Sequence, residues 1–336
     1  MKARAALFSL LCLVGASGVE AATKHAAPSP AAQSGAQPLP QGGTGASGQE
    51  WSDVTEVVVR AKVSGPAMWK LKRGDATVWV MGVPVETPQD LQWDQTRLKR
   101  ILKGVNFVIV PGFSRGSSQA DKRWLAGSEL PYGTHLEDVV APKTYARFKA
   151  AVAHEPGLRA ANYILNRPMR AGMELFEDVL QARGIRRYDM TRQVMALADA
   201  AGARTKVAYT VNADLLSDQW LLLDTKGNEA CLTIFLDGID NLKSLPGMAR
   251  AWAEGDVKTA LASYRDSAML TCNLTTPGWR EQYDALFIGG MVGSIGEALA
   301  KPGKSLAVVP FSDLLRKDGV LDRLRAQGVE VSSPVE

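Results

Sequence analysis

The sequence predicts an α/β fold, with a mixed β-sheet built from N- and C-terminal strand–helix units and a helical insertion between them. Three observations predict it. Two β-favouring runs, residues 68–71 and 77–82, flank the turn Lys72-Arg73-Gly74-Asp75, which reads as a hairpin. Residues 105–110 form a continuous apolar run bounded by Gly104 and by Pro111-Gly112, the pattern of a buried, parallel strand. The chain closes as it opens, with a strand at residues 305–309, a helix at 319–326 and a short strand at 329–331. Between these ends apolar residues recur at helical spacing, so a sheet with helices packed on it is the natural architecture.

In chain order, the first element is a targeting segment. Lys2 and Arg4 precede an apolar run at residues 5–14, and Val19-Glu20-Ala21 is a small-x-small cleavage site. Residues 1–21 are therefore expected to be a signal peptide. A permanent N-terminal anchor is the competing reading, but the run falls short of the roughly twenty residues a span needs. Residues 22–54 are rich in Ala, Pro, Gly and Ser and hold few large apolar residues. Such a segment cannot bury enough surface to offset its ordering entropy, so a disordered tether is expected. The folded domain is expected over residues 55–334.

Within it, Trp69, Leu71, Val78 and Val80 give the hairpin its apolar character. Residues 89–103 read as a helix carrying Trp93, Leu98, Ile101 and Leu102, closed by Gly104 in the left-handed region. Pro142 opens a second helix and Pro168 a third that ends at Gly184. Met190, Val194, Leu197 and Ala201 mark another, up to Gly202. Residues 205–210 are a short strand. Residues 212–268 read as mostly helical, with Pro246-Gly247 as a break, and residues 279–300 as one long helix.

The chain has 336 residues, 46% hydrophobic and 22% charged, with a net charge of +4. That is the composition of a globular protein with a real core, and its charge is too mild to call for nucleic acid. Cys231 and Cys272 remain after processing. An even count in an oxidising compartment points to one disulfide joining two helical segments, with two buried thiols as the other reading.

Self-contained catalytic motifs are missing from the sequence: no Gly-x-Ser-x-Gly elbow, no His-Glu-x-x-His pair and no Walker sequence. The histidines are His25, in the expected tether, His135 and His154, little material for a His-based zinc or acid–base site. Gly289, Gly290, Gly293 and Gly296 sit inside a helical apolar pattern, so close packing is favoured over a phosphate loop. Arg183, Arg186, Arg187, Arg192 and Arg204 read as a solvated basic face. Glu86, His135 and Asp313 could form only an irregular metal site, and their spacing does not support one.

Two stretches carry a family resemblance. One runs Pro66-Ala67-Met68-Trp69-Lys70-Leu71, then Thr77-Val78-Trp79-Val80-Met81-Gly82-Val83-Pro84. The other runs Leu306-Ala307-Val308-Val309, then Gly319-Val320-Leu321-Asp322-Arg323-Leu324-Arg325-Ala326-Gln327-Gly328-Val329-Glu330-Val331. Over roughly residues 66–334 the chain resembles the TraB/GumN family. The resemblance implies an α/β fold and, in active members, a metal-dependent protease of the Tiki type. Two Gly-x-x-His turns and a Glu would there converge on a divalent ion that activates water.

This chain departs from that pattern at each point. Val85 stands at the first His position, Pro111 at the Glu position and Asp313 at the second His position. Of the family's Arg-Asn pair only Asn273 is kept, after Cys272. No catalytic or metal-ligating residue is therefore assigned, and Gly82, Asn273 and Asp313 mark a remnant cleft. The expected function is that of an exported periplasmic or secreted protein that binds an envelope protein or small ligand. It would need no cofactor, a divalent metal being left open, would bind no nucleic acid and would have no transmembrane span once processed. The alternative is a metal-dependent hydrolase with a site rebuilt around Asp313, Glu86 and Asn273.

Overall fold

The computed structural model describes residues 65–113 and 116–332, which belong to one compact unit. The expected leader (1–21), the tether (22–54) and the first residues of the expected domain lie outside the described residues.

The strands are β1 (Met68–Arg73), β2 (Ala76–Val83), β3 (Glu86–Pro88), β4 (Phe107–Phe113), β5 (Ile185–Arg187), β6 (Arg204–Val211), β7 (Gly303–Pro310) and β8 (Glu330–Ser332). Six form one sheet in the order β6-β4-β7-β2-β1-β8, and β3 pairs with β5 apart from it. β6, β4, β7 and β2 run parallel, while β1 is antiparallel to both β2 and β8. The sheet is thus mixed and joins the two ends of the folded chain, as the sequence predicts. Its central strands are apolar because helices cover both faces. Val108, Ile109, Leu306, Ala307, Val308 and Val309 are all buried to within 1%.

Several local expectations need correction. The helix expected over residues 89–103 is only Thr96–Leu102. Asp94 Oδ1 accepts from the Thr96 N–H at 2.8 Å and starts the helix there, while Gln89 N–H is drawn to the Gly184 carbonyl at 2.9 Å. Gly104 does not take the left-handed conformation; its N–H simply donates to Ile101 at 3.0 Å. Pro246-Gly247 does not break a helix but sits in the first turn of Leu245–Ala253, where a missing N–H costs nothing. The helix expected over 279–300 is continuous but changes pitch: Trp279–Tyr283 is α, Asp284–Gly289 is a π-turn, and Gly290–Leu299 is α again.

Two apolar cores result. One surrounds the sheet and includes Trp69, Met190, Trp252, Met291 and Phe311. The other is helical, built on Pro142–His154, Pro168–Ala182 and Thr225–Asn241, with Phe148, Phe176 and Phe235 at its centre. Leu216 and Leu245 pack against both. Cys231 and Cys272 form a disulfide across Thr225–Asn241 and Ala268–Thr275, with Cα atoms 5.0 Å apart. Among the described residues, no helix is long and apolar enough to cross a membrane.

Candidate functional site

The parallel strands point their carboxyl ends to one edge of the sheet, the usual place for a ligand on an open α/β sheet. β2 and β7 are neighbours there, with Val83 paired to Pro310. β2 leads through Pro84 and Val85 to Glu86, the first residue of β3. β7 leads directly into the short helix Phe311–Leu315, which carries Asp313.

Gly82 lets these segments close up. A Cβ at Gly82 would lie 2.9 Å from Leu314 Cδ2 and 3.0 Å from Phe311 Cδ2, tighter than side chains tolerate. Its carbonyl accepts from Trp252 Nε1 at 2.7 Å. Val85 is used through its backbone, accepting from the Tyr188 N–H at 2.6 Å. Pro111 lies where the β4–β6 register shifts between Val110 and Gly112, a position suited to a residue without an N–H.

Asp313 is 2% exposed. The Tyr283 hydroxyl donates to its Oδ1, and Arg316 lies 3.4 Å from the same atom. Arg316 also reaches to 3.6 Å from Asp266 and lies 5.6 Å over the Tyr283 ring. Glu86, 8% exposed, has Arg187 at 3.9 Å, and Arg187 is held in turn by Glu177. Tyr264 feels the charge of Asp266, Glu86 and Asp313 together, so its hydroxyl is pushed well up, mainly by burial.

Burial dominates the electrostatics. It raises the carboxyl groups of Glu86 and Asp266, against the pull of Arg187 and Arg316 respectively. It raises Asp313 to about 6, again against Arg316. Chemically the arrangement can hold and exchange protons, and it can accept hydrogen bonds from a donor entering the cleft.

The remaining expected residues lie elsewhere. Asn273 Oδ1 accepts from Trp220 Nε1 at 2.6 Å, and Trp220 belongs to the helical core with its ring 5.3 Å from Trp124. His135 precedes the helix Leu136–Val139, where Asp138 lies 3.8 Å from its Nδ1. It does not join Glu86 and Asp313. Among the described residues, no group of three or more His, Cys, Asp or Glu side chains is placed to hold a metal ion. The basic cluster is largely ion-paired: Arg183 with Glu155, Arg187 with Glu177, and Arg192 with Asp189 at 3.2 Å.

Sequence reasoning missed Asp266, Tyr264 and Tyr283, and it placed Arg187 on a solvated basic face, whereas its side chain is only 17% exposed and lies between Glu86 and Glu177. Only the Asp313/Arg316 pair carries a local signal, an i,i+3 spacing of opposite charges on one short helical segment.

A family model described as TraB/PrgY/gumN family matches residues 67–333. Searches of curated proteins and of solved structures return no match.

Proposed function

The chain belongs to the TraB/PrgY/gumN family, and from that premise we propose that it is an exported envelope protein that binds rather than catalyses. The cleft at the carboxyl edge of the sheet is the binding site. One observation carries the reading: Val85, Pro111 and Asp313 stand where the family resemblance places His, Glu and His. Valine and proline offer no metal donor, and a single carboxylate holds a divalent ion only weakly. Asp313 is moreover engaged by Tyr283 and Arg316, and Val85 serves through its carbonyl. Export rests on the leader sequence and is supported by the buried Cys231–Cys272 disulfide, a bond that persists in oxidising compartments.

Elemental analysis of the processed protein, purified without chelators or a metal-binding tag, tests this reading. Zinc, manganese and cobalt are expected below about a tenth of an equivalent.

A metal-dependent hydrolase with a rebuilt site is the second reading. It is favoured by the raised carboxyl groups of Glu86, Asp266 and Asp313, although among the described residues they are not grouped to hold an ion together. A stoichiometric ion that is lost in Asp313→Ala would establish it and overturn the first.

A further inference from the structure

The amino edge of the sheet, opposite the cleft, is a basic rim. β2, β4, β6 and β7 start there and the antiparallel β1 ends there, with Phe107 paired to both Arg204 and Ser305, Ala76 to Gly303, and Arg73 to Ala76. Neighbouring strands lie about 4.8 Å apart, so these five segments line up across about 20 Å. Six cations sit on this row or on the segments feeding it: Arg73, Arg100, Lys103, Arg204, Lys301 and Lys304. All six are exposed, and none is ion-paired among the described residues. Arg73 donates to the Gln327 carbonyl at 3.1 Å. Lys304 runs its stem past Gly104, where a Cβ would lie 3.9 Å from Lys304 Cδ.

The exposed carboxylates at this edge do not cancel that charge. Lys72, Lys206 and Arg325 lie there too, but each faces its own carboxylate: Glu330 across the strand pair, Glu297 at 2.6 Å and Asp322 at 3.2 Å. Asp75 and Asp199 are then set against the six cations, in a chain whose total charge is only +4. A cation near the carboxyl end of a helix is the ordinary complement of the helix dipole. That accounts for Arg100 and Lys103 at the end of Thr96–Leu102 and for Lys301 after Gly290–Leu299. It does not account for Arg73, Arg204 and Lys304, which lie on strands.

We propose that this rim docks the protein on a bilayer surface bearing anionic phospholipid head groups. The proposal goes beyond the reading of the cleft and does not depend on what the cleft holds. Exposed like charges side by side repel one another, and a surface of opposite sign relieves that repulsion. Long cationic side chains spread over a row suit a fluid array of head groups, which can move to meet each charge. Single-stranded nucleic acid is held by stacking its bases on open aromatic rings, whereas Phe107 on this row is half-buried and has Lys206 Nζ 5.9 Å over its ring. Docked by the amino edge, the molecule turns its carboxyl edge, with Gly82, Glu86 and Asp313, away from the bilayer and toward a partner.

Co-sedimentation of the processed, full-length protein with lipid vesicles tests the proposal. One set is phosphatidylcholine alone, and the other contains about 30 mol% phosphatidylglycerol. Each cation near such a surface tightens binding about fivefold at low salt. Binding to the phosphatidylglycerol vesicles is therefore expected to be at least about tenfold tighter than to phosphatidylcholine. It is expected to weaken at least about tenfold between about 50 mM and about 500 mM salt. The double variant Lys103→Glu, Lys304→Glu is expected to lose about tenfold or more. Lys143→Glu with Lys226→Glu makes the same change of net charge at two exposed positions of the helical part, and is expected to stay within about twofold of wild type.

Equal binding to both vesicles, or none to either, overturns the proposal. So does equal weakening by the two double variants, which would mean that net charge and not the rim is read. A DNA duplex that strips the protein from the vesicles at equal phosphate concentration overturns the choice of lipid and identifies nucleic acid as the partner. The wild-type comparisons of lipid and salt decide the matter even if the Lys103, Lys304 variant does not fold. Metal content bears only on the cleft, so its outcome and this one are independent.

Discussion

Asp313 shows how far a single residue's setting can move its chemistry. A carboxylate is ordinarily a charged side chain, but this one is enclosed by Tyr283 and Arg316. Its carboxyl group is raised to about 6, whereas an unfolded Asp titrates near 4. The folded state therefore holds the proton more tightly. The stability this group contributes is complete below about pH 4 and is lost as pH rises through about 6. Asp313→Asn keeps an acceptor for Tyr283 and never ionises. Denaturant unfolding of wild type is expected to lose roughly 2 kcal/mol more than the variant between about pH 4 and pH 7.5. Equal losses in the two proteins would show that Asp313 titrates normally.

At the scale of elements, the site exists because a strand and a helix approach more closely than side chains usually permit. Gly82→Ala pushes its new methyl into Leu314 and Phe311, and both belong to a short helix that also positions Asp313. The expected cost is about 1–3 kcal/mol, read as a lower denaturant midpoint with an unchanged slope. A midpoint equal to wild type would mean that the helix Phe311–Leu315 shifts freely.

What was legible in the sequence follows the same logic. The hairpin, β4, β7 and the Pro-initiated helices announce themselves through local periodicity and turn residues. β3 and β5 are three residues each and exist only because Glu86–Pro88 meets Ile185–Arg187 across a hundred residues of chain. The helix before β4 is overextended in the sequence because Leu91 and Trp93 pack on the sheet core from an irregular segment, mimicking helical spacing. Gly82 and Asp313 are legible as family positions. Their partners Trp252, Tyr283 and Arg187 are not, because tertiary packing alone brings them there. Of the four glycines read as packing residues, Gly290 is one, since a Cβ there would lie 3.0 Å from Tyr209 Cβ; a Cβ at Gly289 would meet only Asp284 O at 3.6 Å, and one at Gly293 or Gly296 would meet nothing within 4 Å.

Over the whole molecule, the helical core depends on a covalent link that the sheet core lacks. The disulfide joins positions 41 residues apart, and both sulfurs lie in fully buried residues. Closing a loop of that length restricts the unfolded chain and contributes about 3–4 kcal/mol. The double variant Cys231→Ser, Cys272→Ser is expected to unfold at a denaturant concentration lower by that free energy. A loss below about 1 kcal/mol would indicate that packing around Cys231 and Cys272 suffices without the bond.

The pairing of β1 with β8 also governs how the molecule bears load. Because the two strands are antiparallel, with Lys70 opposite Ser332 and Lys72 opposite Glu330, the chain enters β1 and leaves β8 at the same end of the pair. Tension applied between those two points would not shear the strands along their length. It would peel them apart like a zipper, one hydrogen-bonded pair after another, starting from Lys70 and Ser332. A protein held by its N-terminal segment and pulled from its C-terminal side would thus yield first at this edge, with β2, β7 and the seam between the cores still closed.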